Sequence, residues 1–213
     1  MLVLRDPNGL ARAVVALLAG NIVFDVLLGA VDVRDLTADG TEDFDPTRFG
    51  PVDVNVLLSL SFTVFLATGI VFILWFHRLR RNAEVWAPDL QGRGPGWAVG
   101  GWFIPIGNLW IPRAIAVDVW RASRREPYAA DGRGELALLN GWWTCWVVGT
   151  LVNWVSGQMY KTVDDTGNWT TATQWSVAGY VLDAVAAVLA ILFVRRLTSM
   201  QHAKANGMIP AAQ

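Results

Sequence analysis

Residues Trp97–Pro112 read WAVGGWFIPIGNLWIP, and whether this stretch crosses a bilayer decides how the whole chain is threaded. It is apolar, but a helix needs roughly 20 residues to cross about 30 Å of hydrocarbon, and this stretch has 16. Gly100, Gly101, Pro105, Gly107 and Pro112 interrupt it. Each proline removes a backbone donor, and Pro105 stands where a spanning helix would have its middle. Helix can resume at Pro112, because proline suits a first helical turn, so Arg113–Ala122 reads as an amphipathic cytoplasmic segment. The region of about 97–122 is therefore expected to be a re-entrant or interfacial Pro/Gly/Trp-rich segment.

On either side of it, four segments are long enough to span. They lie at about 13–31, broken only by Asn21 and Asp25; 56–76 and 136–160, both uncharged; and 174–194, which holds Asp183. The first is too long for the apolar core of a signal peptide, and Leu28-Gly29-Ala30 is a poor cleavage site, so it is read as retained. The expected fold class is all-α, an integral membrane four-helix bundle forming one polytopic domain over 1–213.

Composition agrees. Of 213 residues, 54% are hydrophobic and 16% charged, against about 25% charged in a soluble domain. The net charge of -1 and the lack of a basic block argue against nucleic-acid binding. The single cysteine, Cys145, leaves no disulfide framework or CxxC motif and reads as a small core residue. No cofactor or metal is expected. His77 and His202 fall at span ends, poorly placed for a haem, and Gly92-x-Gly94-x-Gly96 has no strand before it.

Charge sets the threading. With four spans, fourteen arginines and lysines lie on the cytoplasmic side and three (Arg34, Arg48, Lys161) outside. Letting 97–112 cross fully would give seven inside and ten outside. The chain therefore reads as a multi-pass cell-membrane protein with both termini cytoplasmic. The outer loop of about 32–55, with seven acids in Asp32–Asp53, reads as a flexible surface loop. The tail 195–213 is expected to fray after Lys204.

The stretch His77–Ser123 carries Arg80-Arg81-Asn82, Pro95-Gly96-Trp97-Ala98-Val99 and Gly101-Trp102-Phe103-Ile104-Pro105-Ile106. Asn108-Leu109-Trp110, Pro112 and Asp118-Val119-Trp120-Arg121-Ala122-Ser123 follow. In these elements the chain resembles the actinobacterial membrane proteins grouped as a domain of unknown function, family four-three-two-eight. The resemblance implies a polytopic bacterial membrane protein and no assigned activity. It directs interest to Asn108–Ser123.

Ionisable groups inside a bilayer cost about 2.5–3.5 kcal/mol each at its centre and raise a functional hypothesis by default. Counting about 1.5 Å per residue from the outer span ends, Asp25 lies roughly 9 Å deep, Asn153 about 10 Å and Asp183 roughly 14 Å. Asn21 sits one turn from Asp25 on the same face. A shared polar track is one reading; interhelical hydrogen-bond glue is the other. A second constellation, Asn108, Asp118 and Asn140, gathers at the cytoplasmic break, where non-helical backbone either lines a cavity or caps the bundle.

Twelve tryptophans split between two explanations. Trp75, Trp86, Trp97, Trp169 and Trp175 fit a headgroup-level belt. Trp142, Trp146 and Asn153 can share one broad face of the third span, either as packing or as a ligand wall. Arg78, Arg80, Arg81, Arg113 and Arg121 would ring the cytoplasmic mouth, set there by topology or to bind anionic lipid head groups or phosphate.

The leading functional reading is a membrane protein that binds or passes a small ligand or lipid through a polar, Trp-lined interior. Its ligand-binding candidates are Asn21, Asp25, Asn108, Asp118, Asn140, Trp146, Asn153 and Asp183. At this size, transport would call for a homo-oligomer. The rival is a membrane-embedded enzyme acting on a lipophilic, for instance isoprenoid, substrate with Asp25 or Asp183 as general acid. A third reading is a structural subunit of a membrane complex.

Overall fold

The computed structural model describes residues 4–38, 47–162 and 167–208, and these are almost entirely helical. In chain order come α1 (Asn8–Thr37), β1 (Arg48–Phe49), β2 (Val52–Asp53), α2 (Val54–Trp86), α3 (Trp97–Gly100), α4 (Ile111–Ser123), α5 (Ala137–Lys161) and α6 (Trp169–Met208). Single 3-10 turns stand at Pro88–Leu90 and Gly107–Leu109.

Three helices have the length and hydropathy to cross a membrane: α1, α2 and Trp169–Gly207 of α6. Their middles leave large apolar side chains uncovered, among them Val23 and Val26 on α1, Phe62 and Phe65 on α2, and Val181 and Val185 on α6. Water-soluble helices bury such stripes, whereas helices facing lipid do not need to. At 25 residues α5 is also long enough, about 37 Å. Asn140, Asn153, Gln158 and its four tryptophans make it less apolar than the other three.

The chain divides into two compact units. The first comprises 1–16, 68–141 and 189–213. Its core sets Trp75, Phe76 and Leu79 of α2 with Ile115, Val119 and Trp120 of α4 and Phe193 and Leu197 of α6, all buried. Phe193 stacks on Trp120 at 6.1 Å and meets Trp75 edge-on, while Trp102 stands edge-on to Phe72 and Phe76. Trp75 is thus 0% exposed, with its indole N–H donated to Thr198 Oγ1 at 3.1 Å, and does not belong to a headgroup belt. Trp97, Trp169 and Trp175 are exposed, as a belt requires.

The stretch 97–110 forms consecutive turns with one four-residue helix, α3, and no span. Most of its backbone N–H groups are satisfied locally, from Trp97 through Phe103 and again at Asn108, Leu109 and Trp110. Its glycines have a steric reason. A Cβ at Gly101 would stand 2.7 Å from Ile111 Cγ2, and one at Gly107 would stand 2.8 Å from Ile111 Cδ1. The chain wraps Ile111 more closely than any side chain allows. Pro112 then opens α4, which buries all but one face, where Arg113, Ala114, Asp118 and Arg121 are only part-buried.

A polar knot closes this unit. Gln201 is 1% exposed and donates to Leu79 O (3.1 Å) and Ser123 Oγ (3.2 Å), while its Oε1 accepts from Asn82 Nδ2 at 3.0 Å. Asn82 also accepts from Arg5 N and donates to Arg5 O. Lys204 Nζ donates to Ala122 O and Arg124 O, 2.7 Å each, capping the C-terminal carbonyls of α4. The helix continues past Lys204 to Met208, so the expected fraying does not begin there; the rest of the tail lies outside the described residues.

The second unit comprises 17–67 and 142–188. The outer loop is more ordered at its edges than expected, since α1 runs to Thr37 and Arg48–Asp53 forms a two-stranded hairpin; residues 39–46 lie outside the described part of the chain. Gly50 takes the positive φ (59°) that this tight turn needs. The Arg34 guanidinium donates to Arg48 O and lies 5.6 Å from the Phe49 ring centroid, tying the hairpin to α1. Trp143 packs against Trp142 and Trp146 with centroids 5.6 and 5.0 Å away.

Candidate functional site

Helices α5 and α6 carry matching signatures, Gly149-x-x-x-Asn153 and Gly179-x-x-x-Asp183. An i, i+4 spacing puts both members of each pair on one helix face. The two faces interlock reciprocally. A Cβ at Gly149 would fall 2.7 Å from Asp183 Oδ1, and one at Gly179 would collide with Asn153 Oδ1. Each polar side chain therefore lies over the glycine of the opposite helix, and Asn153 Nδ2 donates to Asp183 Oδ2 at 2.6 Å. Small residues that let helices approach, with polar groups bonding across them, are a recurrent form of helix association in membranes.

Asp25 of α1 lies within electrostatic range of Asp183. Both are half-buried, while Asn153 is exposed, so the cluster opens at the α5 side. Asn21, one turn from Asp25, donates to its own helix at Leu17 O (2.8 Å). Gly29 of α1 faces Tyr180 of α6, where an added Cβ would stand at ordinary contact distance, 3.8 Å from Tyr180 Cβ. Farther along the same helices Asp32 lies in hydrogen-bond reach of Ser176, and Tyr160 donates to Thr173 Oγ1 at 3.0 Å. Sequence depth alone singles out Asp25, Asn153 and Asp183; the paired glycines are the signal that it overlooks.

Asn108, Asp118 and Asn140 have separate surroundings among the described residues. Asn140 Oδ1 accepts from Arg113 Nε (3.2 Å) and Nη2 (2.6 Å). Asp118 accepts instead from Gly92 N at 3.3 Å. Burial pushes the Asp118 carboxyl up, while the Gly92 N–H and then Arg121, Arg93 and Arg80 pull it back. Asn108 Oδ1 is buried with no hydrogen-bond partner among the described residues.

The arginines separate too. Arg80 is buried, bonding Arg93 O beside Glu84, and Arg78 donates to Asp6 O at 2.9 Å. Arg121 grips Asp131 through Nε (3.0 Å) and Nη2 (2.6 Å), and that hydrogen bond holds the Asp131 carboxyl below its usual range. Arg124 pairs with Glu135 at 3.0 Å. Arg121, Arg124 and Asp131 line a shallow cavity of about 290 Å³ with Tyr128, but its cations are already matched by acids. Arg81 is exposed. Among the described residues no group of three or more His, Cys, Asp and Glu side chains could hold a metal ion.

No curated protein and no solved structure matches the chain. The family model of the domain of unknown function DUF4328 matches residues 51–199, which takes in α2 through most of α6 and with them Asn153 and Asp183. With more than two thirds of its length matched, the chain belongs to the DUF4328 family.

Proposed function

We propose that the chain is a four-span membrane protein that binds a small cation between Asp25 and Asp183. The observation that carries this reading is the Asn153–Asp183 hydrogen bond between α5 and α6, with the Asp25 carboxylate within electrostatic range of Asp183. Two neighbouring carboxylates in a poorly hydrated site cannot both stay charged without a counter-charge. A proton, an alkali cation or an ammonium group supplies it. Asn153 orients Asp183, but a neutral amide cannot provide the counter-charge itself.

Threading supports the same reading. Residues 97–110 are too short and too turned to cross, and they present Phe103 and Ile106, about 70% exposed, beside Trp97 and Trp110. Such a surface suits the interfacial depth, where rings and backbone polar groups both find partners. The flanking arginines then share one side, α5 serves as the fourth span and both termini are cytoplasmic. The residues of the first unit include fourteen Lys/Arg against seven Asp/Glu, and those of the second three against eleven.

The test is a cation titration of the purified full chain in nanodiscs, read as thermal stability with sodium, potassium or ammonium chloride at fixed ionic strength, and as a function of pH. Wild type should gain stability with one of these cations or with protons. Asp25→Asn and Asp183→Asn should each lose that dependence. An unchanged dependence in both variants, or none in wild type with any cation or with pH, overturns the reading.

A further inference from the structure

Asp32, near the end of α1, has one carboxylate oxygen, Oδ2, that is buried and receives no hydrogen bond. Asp32 also forms no ion pair among the described residues, while the neighbouring Asp35 is taken by Arg34 at 2.5 Å. The groups around it are hydroxyls of α5 and α6. Ser176 lies in hydrogen-bond reach of Asp32, Tyr160 and Tyr180 alike.

Counting hydrogens shows what this cluster lacks. Thr173 Oγ1 donates to Trp169 O (3.0 Å), a carbonyl that can only accept, so the Tyr160 hydroxyl must be the donor in its 3.0 Å bond to Thr173. The Tyr160 hydrogen is therefore committed away from Asp32. Only those of Ser176 and Tyr180 remain, against about four acceptor sites on the carboxylate and the lone pairs of three hydroxyl oxygens. The cluster is rich in lone pairs, short of donors and without a counter-charge.

Its level is marked as well. Tyr160 stands one residue from the end of α5 and is 40% exposed, and Ser176 follows Trp175, which is exposed like Trp169. Exposed indoles gather at the headgroup level of a bilayer, so lipid head groups surround these residues.

We infer that Asp32, Ser176, Tyr160 and Tyr180 bind the primary ammonium of a lipid head group of the phosphatidylethanolamine kind. That group brings both missing elements: a positive charge for the carboxylate, and three N–H donors for Asp32 Oδ2 and the hydroxyl lone pairs. A choline head group has the same charge and no N–H, so it leaves Oδ2 without a donor. A free cation would be drawn from water by a single carboxylate, whereas a lipid ammonium is tethered at this level and so acts at a high effective concentration. The Asp25–Asp183 pair lies seven residues farther along α1 and α6, roughly 10 Å away, and the two sites are independent.

The experiment places the full chain in nanodiscs of phosphatidylcholine, alone or mixed with phosphatidylethanolamine or its N-monomethyl or N,N-dimethyl form. Lipids retained after release are counted by native mass spectrometry. Wild type should keep phosphatidylethanolamine over phosphatidylcholine, and retention should fall stepwise as methyl groups replace the N–H donors. Asp32→Asn preserves the shape, removes the charge and should cut this preference about tenfold, as loss of a charge-assisted hydrogen bond does. Ser176→Ala keeps the carboxylate and should cut it about threefold; it decides the matter if Asp32→Asn does not fold.

Equal retention of the two lipids by wild type, no trend along the methyl series, or an unchanged preference in the folded variants overturns the inference. So does displacement of phosphatidylethanolamine by soluble ethanolamine or sodium chloride, which would put a free cation in the site. The proposed function fails separately. A cation response that depends on Asp25 and Asp183, without head-group preference, removes only the lipid site, and head-group preference without that response removes only the cation site.

Discussion

Replacing Gly179 with alanine should pull apart the α5–α6 pair without touching a charge. The added Cβ would collide with Asn153 Oδ1, and Asn153 is not free to yield, because its Nδ2 is bonded to Asp183 at 2.6 Å. Either the amide swings off the carboxylate or the helices separate. Losing the hydrogen bond costs about 0.6 kcal/mol on average and up to about 1.7 in membrane helices, and overpacking adds about 1–3 kcal/mol. Alanine returns up to about 1 kcal/mol of helix propensity. The net expectation is a destabilisation of about 1–3 kcal/mol.

Gly157 on α5 provides the control, since a Cβ there meets nothing within 4 Å. Gly157→Ala should leave stability unchanged or raise it by up to about 1 kcal/mol. Thermal denaturation in one detergent, followed by circular dichroism, compares the two variants directly. Should Gly179→Ala melt at or above wild type, alongside Gly157→Ala, the reciprocal packing of glycine against polar group is wrong. Gly149→Ala, which crowds Asp183 Oδ1 at 2.7 Å, should behave like Gly179→Ala, and the double variant should lose less than the sum of the two because they disrupt one contact.

In the first unit, Gln201→Leu removes the bonds to Leu79 O and Ser123 Oγ and leaves one Asn82 N–H without its acceptor in a buried site, and should cost about 1–3 kcal/mol in equilibrium unfolding; a loss under about 0.5 kcal/mol would count against the knot. Lys204→Met uncaps α4, and hydrogen exchange at the backbone amides of 120–126 should accelerate while exchange in α5 stays as it was. The hydrogen bond from Arg121 holds the Asp131 carboxyl low, so the stability it lends the 121–135 loop is present above the ordinary carboxylate pKa of about 3.9 and disappears as pH falls through the lowered value. Protection factors across that loop, corrected for the intrinsic pH dependence of exchange, should therefore fall in wild type below about pH 4, and Asp131→Asn should show the lowered protection already at neutral pH.

What the sequence reveals depends on how far a contact lies from helix periodicity. Residue rise along a helix is constant, so counting inward from the span ends is enough to place Asp25, Asn153 and Asp183 at similar depth, and the fold brings the three together. Counting says nothing about direction around the axis. It therefore puts Trp75 at the headgroup level, whereas it is fully buried against Phe193 and Thr198 of α6. The partners of the expected arginines are legible only in part: Asn140 and Glu84 lie on helices, whereas Asp131 and the carbonyls of Asp6 and Arg93 sit in loops with no period to read. Gln201 and Asn82 escape notice because no hydropathy signal marks a buried amide beyond the last span, and nothing before Gly207 signals that α6 should stop.

Asp25 lies outside the stretch 51–199 that matches the family, whereas Asn153 and Asp183 lie inside it. The matched region can therefore build the glycine-and-amide lock alone, and that lock is already sufficient as interhelical glue. A second carboxylate within repulsive range makes poorer glue, because it adds an unfavourable interaction and no bond. Its presence makes physical sense if something positive sits between the two. The two readings therefore predict opposite signs for one substitution. If Asp25 is glue, Asp25→Asn weakens the bundle under all conditions. If Asp25 is half of a cation site, Asp25→Asn should be as stable as wild type, or more so, in cation-free buffer above neutral pH. Wild type should then catch up only when the cation or the proton is restored.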